Sequence, residues 1–189
     1  MMLNSGELEA ALSALGELLV EREQPHGLAI IGGGALSITR FIQRSTKDLD
    51  IVALFENGVL KIAAPLPDAL AEAIRDVAGY LRLAPDWLNN GPTSMMQLGL
   101  PEGFLARCER RVYGALTVLF ASRLDQIHFK LYAAADDRPA GKHHRDLEAL
   151  TPTADELEQA AAWARGHDPS QGFAVMVAGV LAAFSTKGT

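Results

Sequence analysis

A run of three glycines, Gly32–Gly34, separates an apolar segment from a short helical pattern and two nearby aspartates. The whole stretch is IIGGGALSITRFIQRSTKDLDIVAL, residues 30–54. The preceding GLAII predicts a buried strand, and ALSITRFIQR predicts a helix whose Leu36, Ile38 and Phe41 face inward. The glycines therefore form a tight turn between a strand and a helix.

The segment DLDIVALF, residues 48–55, predicts a second strand that carries two carboxylates on one face. Because side chains alternate along a strand, Asp48 and Asp50 project to one side and Leu49 to the other. Parallel carboxylates are hard oxygen ligands that bind Mg²⁺ shared with substrate phosphates. The same two aspartates also suit a strand entry that solvates a sheet edge, so the pattern alone leaves both interpretations open.

The glycine turn fits one of three phosphate-binding patterns. A dinucleotide-binding loop needs G-x-G-x-x-G, but Ala35, Leu36 and Ser37 follow the last glycine. A P-loop needs a Gly-Lys-Ser/Thr ending, which is missing from this sequence. The remaining pattern is a turn that lets a nucleoside triphosphate approach backbone N–H groups at a helix N-terminus. A purely structural turn explains the glycines equally well.

The composition predicts a well-cored globular protein. The chain has 189 residues, of which 49% are hydrophobic and 21% are charged. A single cysteine, Cys108, excludes an internal disulfide framework, and the glutamate-rich start does not suit a signal peptide, so we expect a cytoplasmic protein. We expect no membrane contact. The formal charge of −6 argues against broad, non-specific nucleic-acid binding.

The predicted elements form a mixed first half and a helical second half. Helices are predicted over 7–23 and 66–78, and one or two strands over 110–122. The segment 84–94 predicts turns, with Trp87 and Leu88 packed in the core. Further helices are predicted over 124–135, 142–150, 154–165 and 173–184.

Two parts of the chain resemble a known group of enzymes. GGGALSI…RSTKDLDIVAL resembles the signature of the DNA polymerase β-like nucleotidyltransferase superfamily, and T-K-D-L-D is especially similar to the minimal AbiEii and MenT type. Proteins of that type act as toxins in toxin–antitoxin pairs. DQIHFKLYAAADDRPAGKHHRDLEAL, residues 125–150, resembles the distal motif of the same group. The resemblance covers roughly residues 28–150.

The resemblance implies a fold and an active site. The fold is α+β, a nucleotidyltransferase fold with a small mixed sheet, flanking helices and a helical C-terminal portion. Residues 1–150 would form the nucleotidyltransferase domain, and residues 151–189 would be helices packed on it. In the implied site, Asp48 and Asp50 bind Mg²⁺ or Mn²⁺, and the NTP is held by Gly33, Gly34, Ser37 and Arg138. Lys130 offsets triphosphate charge, and Asp146 either orients Lys130 or assists acceptor deprotonation. Lys142 is a further basic candidate.

The implied reaction is metal-dependent transfer of a nucleoside monophosphate from an NTP to an RNA or protein hydroxyl. The acceptor would be tRNA or a protein, and an antitoxin would be a partner. Two alternatives stay open. ALTVLFAS supplies no third carboxylate, so either Asp146 takes over that role or the protein is a catalytically reduced binding or antitoxin-like protein. The acidic net charge suits a small cationic acceptor, as in drug adenylyltransferases.

Three residues of the distal motif also have plainer interpretations. His143 and His144 are adjacent, so on a helix they diverge by about 100° and do not readily bind one zinc ion. We interpret them as part of a solvated basic face. Lys130, taken without the resemblance, suits a side chain that extends along apolar surface to reach solvent.

Overall fold

The computed structural model describes residues 2–137 and 141–185. The chain divides into two compact units, Met1–Ser122 and Arg123–Thr189. The first unit contains α1 (Ser5–Glu21), β1 (His26–Ile31), α2 (Gly32–Ile38), β2 (Leu49–Glu56), β3 (Val59–Lys61), α3 (Asp68–Leu81), β4 (Leu88–Asn89), a 3₁₀ turn (Gly91–Thr93), α4 (Ser94–Leu98), α5 (Phe104–Arg107), β5 (Glu109–Tyr113) and β6 (Leu116–Phe120). The second contains α6 (Arg123–Ala135), α7 (Lys142–Ala149), α8 (Ala154–His167) and α9 (Gln171–Ser185).

Within the described residues, six strands form one mixed sheet in the order β3-β2-β1-β6-β5, with β4 pairing with β2. Strand β1 is parallel to β6 and antiparallel to β2, while β4 runs parallel to β2. The register between β1 and β2 shifts between Ala29 and Ile30, so that Ile31 pairs with Asp50. This irregularity brings an aspartate opposite the last residue before the glycine turn.

The core of the first unit lies between the sheet and its helices. Helix α1 begins with a capping box formed by Asn4 and Glu7, and it packs against α2, α3, β5 and β6. Its leucines at helical spacing are fully buried: Leu8, Leu12, Leu15 and Leu19. Trp87 is also fully buried, and its Nε1–H donates to the Ile74 carbonyl at 3.2 Å. The burial of Trp87 and Leu88 confirms their predicted place in the core.

The second unit is formed by helices. Helix α6 packs against α7, α8 and α9. Trp163 on α8 meets Phe129 on α6 edge-on at 5.6 Å between ring centroids, and Tyr132 on α6 lies 5.2 Å from Phe173 on α9. None of the helices within residues 2–137 and 141–185 combines the length and apolarity needed to cross a membrane.

The α+β prediction is confirmed, with a mixed sheet, flanking helices and a helical C-terminal portion. Two local predictions are wrong. Helix α2 begins at the glycines and ends at Ile38, because Arg40 adopts φ 64° and turns the chain away, which leaves Phe41 38% exposed. The segment 84–94 contains a short strand, β4, where only turns are predicted. The division into two compact units after Ser122 does not test the predicted domain boundary at residue 150, which remains a prediction.

Candidate functional site

The carboxylate of Asp50 lies against the glycine turn. A Cβ at residue 32 would collide with Asp50 Oδ2, and Gly32 has φ +83°, a conformation that residues with a side chain rarely adopt. Both facts require glycine at this position. The Asp50 carboxylate occupies the space that a side chain at residue 32 would need, so the turn and Asp50 form one cradle.

Asp48 immediately precedes β2, two residues before Asp50. Both aspartates are half-buried, while Leu49 between them is fully buried and its N–H donates to the Trp87 carbonyl at 2.7 Å. The alternation of burial follows the period of a strand. The anchoring of Leu49 fixes the backbone from which the two carboxylates project.

Asn89 lies beside Asp50 and is a site residue that the sequence analysis missed. Strand β4 pairs Asn89 with Asp50, and Asn89 Nδ2 is 3.3 Å from both Asp50 Oδ1 and the Leu49 carbonyl. Its own Oδ1 accepts the Gly91 N–H at 2.9 Å. The sequence carries no signal for this contact, because it depends on a strand pair 39 residues apart.

Arg44 is the second missed residue, and it adjoins the next glycine. A Cβ at Gly33 would lie 2.9 Å from Arg44 Nη2, so the missing side chain makes room for the guanidinium. The hydroxyl of Ser37 donates to the Arg44 carbonyl at 3.3 Å and is buried. Ser37 therefore holds the segment that carries Arg44, and its predicted contact with phosphate remains a prediction.

Gly34 is explained by packing between α2 and β2. A Cβ there would lie 2.5 Å from the Asp48 carbonyl and 2.6 Å from Leu49 Cδ2. Only glycine allows this close approach without movement of the strand. The structure thus accounts for Gly34 without a ligand, and the contact of the Gly33 and Gly34 N–H groups with a triphosphate stays a prediction.

In the second unit, Lys130 and Asp146 form a buried ion pair. Lys130 Nζ on α6 is 2.8 Å from Asp146 Oδ2 on α7, and the side chains are 5% and 2% exposed. The interpretation of Lys130 as a side chain that reaches solvent is wrong. A contact of this length lets Asp146 orient the ammonium group, which is one of the two roles predicted for it.

The two histidines of the distal motif do not form a solvated basic face. Burial, with the charges of Lys130 and Lys142, lowers the pKa of His143 to about 4, so its ring is uncharged at neutral pH. His144 is buried, and its Nδ1 has no hydrogen-bond partner among the described residues. Lys142 is exposed. Arg138, predicted to hold the NTP, lies outside the described residues.

The carboxylates of the first unit fit a magnesium site that shares its ligands with a substrate. Asp48 and Asp50 are both half-buried and offer hard oxygens two residues apart, and Asp50 Oδ2 lies against Gly32. Mg²⁺ is commonly held by one or two carboxylates together with substrate phosphates and water. Within residues 2–137 and 141–185, no group of three or more His, Cys, Asp or Glu could hold a metal ion alone.

The mixed α+β fold is consistent with a nucleotidyltransferase, and comparison with family models shows that class. The model of DUF6036, described as a nucleotidyltransferase of unknown function, matches residues 7–148. The match covers more than half of the chain, which therefore belongs to this family. Searches of curated proteins and of solved structures found no match. The predicted resemblance is confirmed for a nucleotidyltransferase family, and the AbiEii and MenT likeness remains a prediction.

Gly34→Ala should destabilise the first unit, because the methyl group collides with the Asp48 carbonyl just before β2 and with the Leu49 side chain. We expect a loss of about 1–3 kcal/mol in the free energy of unfolding, measured by urea denaturation. Gly79→Ala is the control, since Gly79 lies in α3 with nothing within 4 Å of the added Cβ, and alanine there should be neutral or stabilising by up to about 1 kcal/mol. Equal stability of the two variants would contradict the packing argument.

Lys130→Met and Asp146→Asn should each destabilise the protein, because each leaves a buried charge without its counter-ion at 2.8 Å. Removing one partner of a buried pair costs about 3–5 kcal/mol. The double variant Lys130→Met/Asp146→Asn removes both charges and should recover part of that loss in a double-mutant cycle of unfolding free energies. Strictly additive losses would show that the two charges do not interact.

Proposed function

We propose that the protein transfers a nucleoside monophosphate from an NTP to an acceptor hydroxyl, with Mg²⁺ or Mn²⁺ as the cofactor. The observation that supports this most is the cradle in which the Asp50 carboxylate lies against the glycine turn, two residues after Asp48. A carboxylate beside a glycine turn is suited to hold a cation that arrives with a triphosphate. Membership of a nucleotidyltransferase family supports the same conclusion.

The proposed reaction is an in-line substitution at the α-phosphorus. The acceptor oxygen forms a bond to the α-phosphorus, the bond to the bridging oxygen of the β-phosphate breaks, and pyrophosphate leaves with the electron pair. The acceptor's proton passes to solvent or to a neighbouring carboxylate. When bound, the metal ion neutralises phosphate charge and makes the hydroxyl more acidic.

The residues of the first unit have distinct tasks in this proposal. Asp48 and Asp50 provide the anionic oxygens for the cation, and Asn89 fixes the Asp50 side chain. Gly33, Gly34 and Ser37 form the wall that the phosphates approach. Arg44, beside Gly33, adds a positive charge at the turn.

Lys130 and Asp146 supply the second charged element of the proposal. Lys130 offsets the charge of the triphosphate, and Asp146 orients Lys130. The buried pair supports this division, because an ammonium held by a buried carboxylate keeps one direction without the entropy of a mobile lysine. Asp146 as the group that assists acceptor deprotonation is the less suited role, since its oxygen is already engaged with the ammonium.

The acceptor we propose is an RNA or protein hydroxyl, with tRNA included. The likeness of T-K-D-L-D to the AbiEii and MenT type extends the proposal to a toxin with an antitoxin partner. Incubation with each labelled NTP and separated cellular RNA or protein identifies the acceptor, and label on neither favours a small-molecule acceptor. A catalytically reduced protein is the second candidate, because Asn89 beside Asp50 is an amide rather than an acid.

NTP binding should depend on a divalent cation, because Asp48 and Asp50 repel a bare triphosphate. We expect calorimetry with the four common NTPs to show affinity at least about tenfold higher with Mn²⁺ than with EDTA. Asp50→Asn should abolish this dependence, whereas Asp86→Asn, an exposed aspartate of the same unit, should keep it. Equal NTP affinity with and without the cation would show that the two carboxylates do not belong to the phosphate site.

Turnover should fall by about 10²–10³-fold in Lys130→Met, because charge stabilisation in a site shielded from water is a large catalytic term. Loss of folding is a competing cause, so the double variant Lys130→Met/Asp146→Asn is measured at a temperature where it remains folded. We expect turnover to stay low in this variant even where stability is recovered. Recovery of turnover along with stability would show that Lys130 and Asp146 have only a structural role.

A further inference from the structure

The amide of Asn89 is held in one orientation beside Asp50. Its Oδ1 accepts the Gly91 N–H at 2.9 Å, and since a backbone N–H can only donate, that side of the amide must be the oxygen. The NH₂ group therefore faces Asp50 Oδ1 and the Leu49 carbonyl, both at 3.3 Å. The assignment of nitrogen and oxygen follows from the donors and acceptors around the amide.

The turn at Gly91 does not by itself require asparagine. An aspartate accepts a hydrogen bond from the backbone N–H two residues later equally well. What asparagine adds at this position is a neutral N–H donor directed at Asp50. An aspartate of the same size would instead put a further negative charge against the Asp50 carboxylate, because the strand pairing brings residues 89 and 50 side by side.

We infer that Asn89 is a positioning residue that fixes Asp50 and, by being neutral, limits the carboxylate site to two negative charges, so that the cation binds together with the nucleotide. This inference rests on the proposed function. The two carboxylates of Asp48 and Asp50 are few for a cation held by protein alone, and the affinity of carboxylate sites rises with the number of charges. The phosphates of the substrate then complete the site.

Asn89→Asp tests the inference directly, with Mn²⁺ as the probe. The full-length protein is titrated with Mn²⁺ in the absence of nucleotide, by calorimetry and by the electron paramagnetic resonance signal of free Mn²⁺. We expect Asn89→Asp to bind Mn²⁺ about tenfold or more tightly than the wild type. Its melting temperature should rise on addition of Mn²⁺ alone, whereas that of the wild type should not change.

Asn90→Asp is the matched control. Asn90 is the neighbouring asparagine, and its Nδ2 donates to the Ala63 carbonyl at 2.6 Å. The substitution makes the same chemical change one residue away, so it reports the effect of an added charge and a lost donor on folding. We expect Asn90→Asp to lower stability and to leave the nucleotide-free Mn²⁺ affinity as in the wild type.

Nucleotide-free Mn²⁺ affinity that is unchanged or weaker in Asn89→Asp would overturn the inference, as would an equal gain in Asn90→Asp. A wild type that binds no NTP in the presence of Mn²⁺ would instead overturn the proposed function and the inference with it. If Asn89→Asp does not fold, Asn89→Ser decides the matter, because serine keeps a turn acceptor but loses the amide N–H that reaches Asp50. We expect severalfold weaker binding of Mn²⁺ with NTP in Asn89→Ser, and wild-type affinity would contradict the role of Asn89.

Discussion

The close approach of α2 to β2 determines the candidate site of the first unit. Gly34 allows the helix to touch the Asp48 carbonyl and the Leu49 side chain, and Gly32 leaves the space in which the Asp50 carboxylate lies. A side chain at Gly34 would press on the Asp48 carbonyl, and one at Gly32 would displace the Asp50 carboxylate. The glycine turn and the carboxylates are therefore one structural unit, and neither could be placed as it is without the other.

The main electrostatic feature of the second unit is a buried lysine, Lys130. A lysine side chain that is only 5% exposed is costly to bury unless an opposite charge pairs with its ammonium, and Asp146 does this at 2.8 Å. The same neighbourhood depresses the pKa of His143, because burial and the nearby lysine charges disfavour an imidazolium. The adjacent histidines of KHHRD are therefore not the cationic surface that their number suggests.

The features predicted from sequence are those that depend on near neighbours in the chain. The positions of Gly32, Asp48 and Asp50 within the apolar pattern predict a strand, a turn, a helix and a second strand. Each of these elements is marked by a local period or a local break in the sequence. Asn89 and Arg44 could not be found in this way. Asn89 reaches the site through the pairing of β4 with β2, and the Arg44 guanidinium lies where Gly33 has no side chain. The burial of Lys130 likewise depends on the packing of α6 against α7.

The charges around the glycine turn suit a metal–nucleotide complex better than a bare nucleotide. In the proposed function, Asp48 and Asp50 meet an approaching triphosphate with negative charge, while the Arg44 guanidinium lies beside Gly33. The two carboxylates would repel a free triphosphate but attract a cation, and phosphates that arrive with a cation carry less charge to repel. The neutral Asn89 adds nothing to that repulsion while it restrains Asp50. In the proposed function, the cation that the carboxylates need is the one that the triphosphate brings, which reconciles an acidic site with an anionic substrate.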